Sequence, residues 1–90
     1  MARPRKKRRI FFSPTVKLFL PQGLQTSGLP VVNLSLEEAE AVRLKNILGL
    51  EQTQAAKKML TSQSTYQRIL VSAYQKIAQG IIFGRAIRIR

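Results

Sequence analysis

Between residues 35 and 80 the apolar positions recur at helical spacing in three blocks. Leu36, Ala39, Val42, Leu44 and Ile47 make one broad face. Ser35 opens that block with Glu38 three residues on, the spacing of a capping box, and Gly49 closes it. A helix over about 36–48 is predicted. Ala55, Ala56, Met59 and Leu60 form the inward stripe of a shorter helix, about 52–60, and the paired alanines let another backbone come close. Tyr66, Ile69, Leu70, Ala73 and Ile77 then fall at i, i+3, i+4, i+7 and i+11. With Ser62 as N-cap and Gly80 as stop, they predict a third helix over about 63–79. Its other face carries Gln63, Ser64, Thr65, Gln67, Arg68, Ser72, Gln75 and Lys76, polar or basic and without a carboxylate.

Period-two patterning flanks the helical part. "TVKLFLP" is β-branched and aromatic and ends at Pro21, which predicts a short strand over about 15–20. "PQGLQTSGLP" reads as a loop. In "IIFGRAIRIR", Arg85, Ile87 and Ile89 alternate with Ala86, Arg88 and Arg90, a strand over about 82–89. A lone terminal strand exposes an edge, so the two strands are expected to pair, within one chain or across a two-fold dimer. The expected fold is mainly α: a three-helix helix-turn-helix domain over residues 15–90 with short N- and C-terminal β-strands, preceded by a basic arm over 1–14.

Composition narrows the function. Ninety residues make one small domain, and 16 Lys and Arg against 4 Glu give a net charge of +12. Such an excess points to a polyanionic partner. The chain has no Cys and no His, which excludes a disulfide framework, thiolate or imidazole catalysis and the usual zinc sites. Glu37, Glu38, Glu40 and Glu51 are the only carboxylates, and their place on a helix and its exit suits the helix dipole better than acid–base work. No enzyme, cofactor, metal or small-molecule effector is expected. Ser13, Pro14 and Lys17 interrupt the apolar run after the basic start before it reaches signal-peptide length. With no stretch apolar enough to span a membrane, a cytoplasmic protein is expected.

The polar face takes its meaning from a helix-turn-helix, whose second helix enters the DNA major groove with its first residues against base edges. Gln63, Gln67 and Arg68 offer the paired hydrogen bonds that Gln makes to adenine and Arg to guanine, with Ser64, Thr65 and Ser72 beside them. Lys57, Lys58, Arg68 and Lys76 are expected on phosphates. "ARPRKKRR" adds Arg3, Arg5, Lys6, Lys7, Arg8 and Arg9, an arm along the backbone or in the minor groove unless it is only a solubilising tail. The expected activity is sequence-specific binding of double-stranded DNA by a homodimeric transcriptional regulator. Two alternatives stand beside it: an RNA-binding, ribosome-associated basic protein, and a module that contacts RNA polymerase.

"MARPRK", "ILGLEQTQAAKKM", "SQSTYQRIL" and "GRAIRI" together resemble a family of small prokaryotic proteins, the domain of unknown function numbered one hundred and thirty-four. The resemblance covers nearly the whole chain. It implies a helix-turn-helix similar to region four of sigma factors and a recognition helix from Ser62 to Gly80. Two residues depart from the family pattern. Lys7 stands where a Cys is usual, and Leu60 replaces the usual turn glycine, which implies a wider or strained turn.

Overall fold

The computed structural model describes residues 8–23, 28 and 30–90. Its elements in chain order are β1 (Leu18–Phe19), β2 (Val31–Leu34), α1 (Leu36–Val42), α2 (Gln52–Lys58), α3 (Gln63–Phe83) and β3 (Ala86–Ile89). α1 opens on the reciprocal cap that its sequence predicts. The Glu38 N–H donates to Ser35 Oγ at 3.0 Å, and the Ser35 N–H donates to Glu38 Oε1 at 2.8 Å. The same helical path continues as a π-helical turn over Arg43–Ile47 and stops at Gly49, where φ is +71°. Each residue of a π turn advances less around the axis than in an α-helix. Leu44 still reaches the core, but Ile47, expected on the apolar face, is rotated out and left 76% exposed.

α3 does not end at Gly80. It runs to Phe83 and stops at Gly84, whose φ of +64° is left-handed, with the Arg85 N–H closing back on the Gly80 carbonyl at 2.9 Å. Gly80 serves packing instead. A Cβ there would lie 2.5 Å from Ile87 Cγ1, so any side chain at this position would have to displace that of Ile87.

β3 is the central strand of a three-stranded sheet. On one side it runs antiparallel to β1, with Leu18 opposite Arg88 and Phe19 opposite Ile87. On the other it runs parallel to β2, from Val31 opposite Ala86 to Leu34 opposite Ile89. Sequence patterning does not assign β2, because "VVNL" directly follows the loop and leads into Ser35. The first and last strands are shorter than expected, since β1 has two residues and residues 81–83 remain helical. Both edges of β3 are filled within one chain, so an open terminal edge gives no reason for pairing across two chains.

The core has two adjoining parts. Ala41, Leu44, Ala55, Ala56, Met59, Tyr66 and Leu70 join the three helices, while Leu34, Ala39, Ala73 and Ile89 join α1 and α3 to the sheet. Tyr66 is fully buried, and its hydroxyl donates to the Ala41 carbonyl at 2.7 Å. Burial pushes its phenol up to about 12.

Parts of the segment 8–14 are tied to this core. The Arg9 N–H donates to the Met59 carbonyl at 3.2 Å, and the Phe11 N–H donates to Glu40 Oε2 at 2.9 Å. Phe12 packs on the second core part beneath the Arg43 guanidinium, and Pro14 is buried. Of the expected basic arm, residues 1–7 fall outside the described residues.

Candidate nucleic-acid interface

α2 and α3 are joined by Met59–Ser62, a turn that only certain residues can make. Met59 is fully buried and Ala56 nearly so, which seats the end of α2 on the core. The Thr61 N–H then donates to the Ala56 carbonyl at 3.0 Å, and the Leu60 N–H to the Lys57 carbonyl at 3.1 Å. This closure needs a left-handed residue, usually glycine. Here it is Leu60, at φ 57°, the one described non-glycine residue with positive φ. The left-handed conformation costs an L-residue about 1–2 kcal/mol. The turn at Leu60 therefore carries backbone strain.

Ser62 starts α3. Its Oγ accepts the Thr65 N–H at 3.1 Å and donates to Thr65 Oγ1 at 2.9 Å, so the Thr65 hydroxyl is engaged in the cap and half-buried. Gln63, Ser64, Gln67 and Arg68 are exposed. Ser64, Gln67, Arg68, Val71, Ser72 and Gln75 line a shallow groove of about 450 Å³ along the outer side of the helix. Val71, 45% exposed, is the member that sequence reading overlooked. Its place one turn after Gln67 was the available signal.

Ser72 and Lys76 do not join the exposed set. The Ser72 hydroxyl donates to Glu38 Oε2 at 2.5 Å, and Lys76 Nζ donates to Glu38 Oε1 at 2.9 Å. Burial works against the charged form of Glu38, yet the bonds from Ser35, Ser72 and Lys76 outweigh it and hold the carboxyl below its ordinary value. Glu40, with no exposed surface, accepts from Arg43 Nε at 2.6 Å and Nη2 at 3.0 Å as well as from Phe11. Its hydrogen bond is also the main cause that raises the Arg43 guanidinium above its usual value. Glu38 serves the N-terminal turn of α1, as the sequence suggested, and bonds to α3 as well. Glu38 and Glu40 are both fasteners, one between α1 and α3 and the other between α1 and the N-terminal segment.

The remaining cations sort by position. Lys57 and Lys58 are exposed at the C-terminal end of α2 and make no ion pair among the described residues. Arg8 pairs with Glu37 at 3.2 Å. Arg9 is exposed, with its guanidinium over the Phe11 ring. Arg3, Arg5, Lys6 and Lys7 lie outside the described residues. Because the Arg9 backbone is bonded to Met59, the basic run enters the domain beside the α2–α3 turn.

The arrangement separates charge. Glu37, Glu38 and Glu40 are each paired with a cation, and Glu51 sits at the N-terminus of α2, where its N–H donates to Gln54 Oε1 at 3.2 Å. The outer side of α3 is left with hydrogen-bonding groups and positive charge.

The family described as "Protein of unknown function DUF134" matches residues 1–90. A UPF0251 protein of Halothermothrix orenii is 47% identical over 88 residues, which cover 98% of this chain and 65% of that one. One from Desulforudis audaxviator is 47% identical over 89 residues, covering 99% and 58%. Another, from Dehalococcoides mccartyi, is 51% identical over 89 residues, covering 99% and 76%. The chain thus spans less than two thirds of the first two relatives and about three quarters of the third. No solved structure matches.

Proposed function

The chain belongs to the DUF134 family, and from that footing we propose that it binds double-stranded DNA through α2 and α3 acting as a helix-turn-helix. One observation carries the reading: Gln63, Ser64, Gln67 and Arg68 on the first half of α3 are exposed, the helix is free of carboxylates, and Lys57 and Lys58 beside it make no ion pair among the described residues. A major groove offers such a surface both base edges and phosphates. In this reading Gln67 and Arg68 contact base edges, with Gln63 and Ser64 at the entry to the groove. Lys57, Lys58 and Arg9 contact phosphates, together with Arg3, Arg5, Lys6 and Lys7 from the run that begins beside the turn. Thr65, Ser72 and Lys76 hold the angle of α3 through the Ser62 cap and Glu38.

Sequence-specific binding of this kind suits transcriptional regulation in the cytoplasm. Selection of bound sites from random duplex DNA tests it. A short enriched motif that the protein prefers over unrelated duplex is the expected result. Failure to enrich any duplex, or equal retention of structured RNA, would refute it.

A further inference from the structure

One side chain in the groove along α3 differs in chemistry from the rest. Gln67, Arg68 and Gln75 present amide and guanidinium groups and Ser64 a hydroxyl, while Ser72 gives its hydroxyl to Glu38. Val71 sits among them, 45% exposed and with no polar atom in its side chain. Single exposed apolar residues are ordinary on a protein surface, so residue type alone gives Val71 no role. Its place does. Val71 stands one helical turn beyond Gln67 and Arg68, on the stripe that lines the groove.

Neither packing nor helix formation accounts for a valine there. The core takes Leu70 before it and Ala73 after it, and Val71 belongs to neither core part. A β-branched residue loses χ1 freedom in a helix, so an exposed helical position favours alanine or a long straight side chain. The isopropyl group is left to whatever enters the groove.

In the DNA reading, what enters is the edge of a base pair. Among the groups that bases present in the major groove, the C5-methyl of thymine is the apolar one, and apolar side chains contact it. A helix rises about 1.5 Å per residue, which puts Val71 about 4.5–6 Å along the axis from Arg68 and Gln67. Bases on one strand are about 3.4 Å apart, so Val71 falls within two base steps of the pairs that Gln67 and Arg68 contact.

We propose that Val71 is a specificity-determining residue that reads a thymine through its C5-methyl group, beside the hydrogen bonds of Gln67 and Arg68. The proposal rests on the DNA reading and adds one base to those that the polar side chains recognise.

The test removes that methyl group alone. Each thymine of the duplex that the protein selects is replaced in turn by deoxyuridine, and affinities of the unaltered protein and of Val71→Ala are measured by fluorescence anisotropy. Val71→Ala keeps the fold, since the position is exposed and alanine is the better helix former, as circular dichroism will verify. One replacement should weaken the unaltered protein by about 4-fold, the effect of burying one methyl group. The same replacement should leave Val71→Ala nearly unchanged, while Arg68→Ala, which keeps the valine, should still respond to it. A selected motif without thymine overturns the role of Val71. So does equal binding to every deoxyuridine duplex, or a loss that Val71→Ala shows to the same degree. In each of these cases a preference for selected over random duplex leaves the DNA reading standing, whereas a protein that enriches no duplex loses both.

Discussion

α3 carries polar residues on two sides, and their fates differ. Gln67 and Arg68 stand in solvent, while Ser72 and Lys76, about one and two turns after Arg68, reach Glu38 on α1. Nothing in residue type separates the two pairs. What separates them is the bond to Glu38, which Ser72 and Lys76 make although Arg68 lines the same pocket. Glu38 holds the part-exposed Lys76, and Glu40 holds Arg43 and the N-terminal segment in the same way. The fold buries two of its four acids, Glu38 and Glu40, and α3 itself carries none.

That contrast breaks most visibly at Glu40. Replacing it with Ala leaves Arg43 and the Phe11 N–H without their shared acceptor in a buried place. Losing one member of such a pair should cost about 3 kcal/mol, read as a lower urea midpoint with unchanged slope. A loss below about 0.5 kcal/mol would make Glu40 an ordinary surface acid, contrary to the inward role given to it here.

The far end of α3 sharpens the same point. Gly80→Ala should destabilise by about 1–2 kcal/mol, although alanine is the better helix former, because the new methyl group meets Ile87. The turn at its beginning gives an effect of opposite sign. Leu60→Gly should stabilise by roughly 0.5–1 kcal/mol, because release of left-handed strain exceeds the added freedom of the unfolded chain. A destabilised Leu60→Gly would mean that the Leu60 side chain matters more than its backbone.

The smallest effect is on pH dependence. The folded-state pKa of Glu38 is depressed, so its stabilisation is full above the ordinary glutamate value of about 4.3 and is lost as pH falls through the lower folded value. Lys76→Met removes one cause of the depression. Urea midpoints measured from neutral pH downward should then show a shallower acid-side loss of stability in the variant than in the unaltered protein. Parallel curves would separate Lys76 from Glu38.

These tests also show where the sequence was readable. The period from Tyr66 to Ile77 fixes the inner face of α3, and the Ser35–Glu38 pair marks the start of α1, because helical spacing and capping are local. Polar residues on the inner flank were not separable from those on the outer one. Their distinction depends on Glu38, 34 and 38 residues away from Ser72 and Lys76. β2 was hidden for a similar reason, since a four-residue parallel strand is defined by its partner near the other end of the chain. Gly80 has the composition of a helix stop, and only the approach of Ile87 gives it another purpose. The seating of residues 8–14 likewise depends on Glu40 and Met59, not on the local run of charge.

The outward side of α3 carries the central claim, and one paired measurement tests it most directly. Affinities of Arg68→Ala and Lys76→Ala are compared on a selected duplex and on random duplex, by fluorescence anisotropy at fixed salt. Loss of Arg68 should weaken the selected duplex by about 10- to 100-fold and random duplex far less, as for a side chain on a base edge. Loss of Lys76, whose charge is already met by Glu38, should leave both within a few-fold. Equal weakening of both duplexes by Arg68→Ala, or an effect of Lys76→Ala as large as that of Arg68→Ala, would contradict the account.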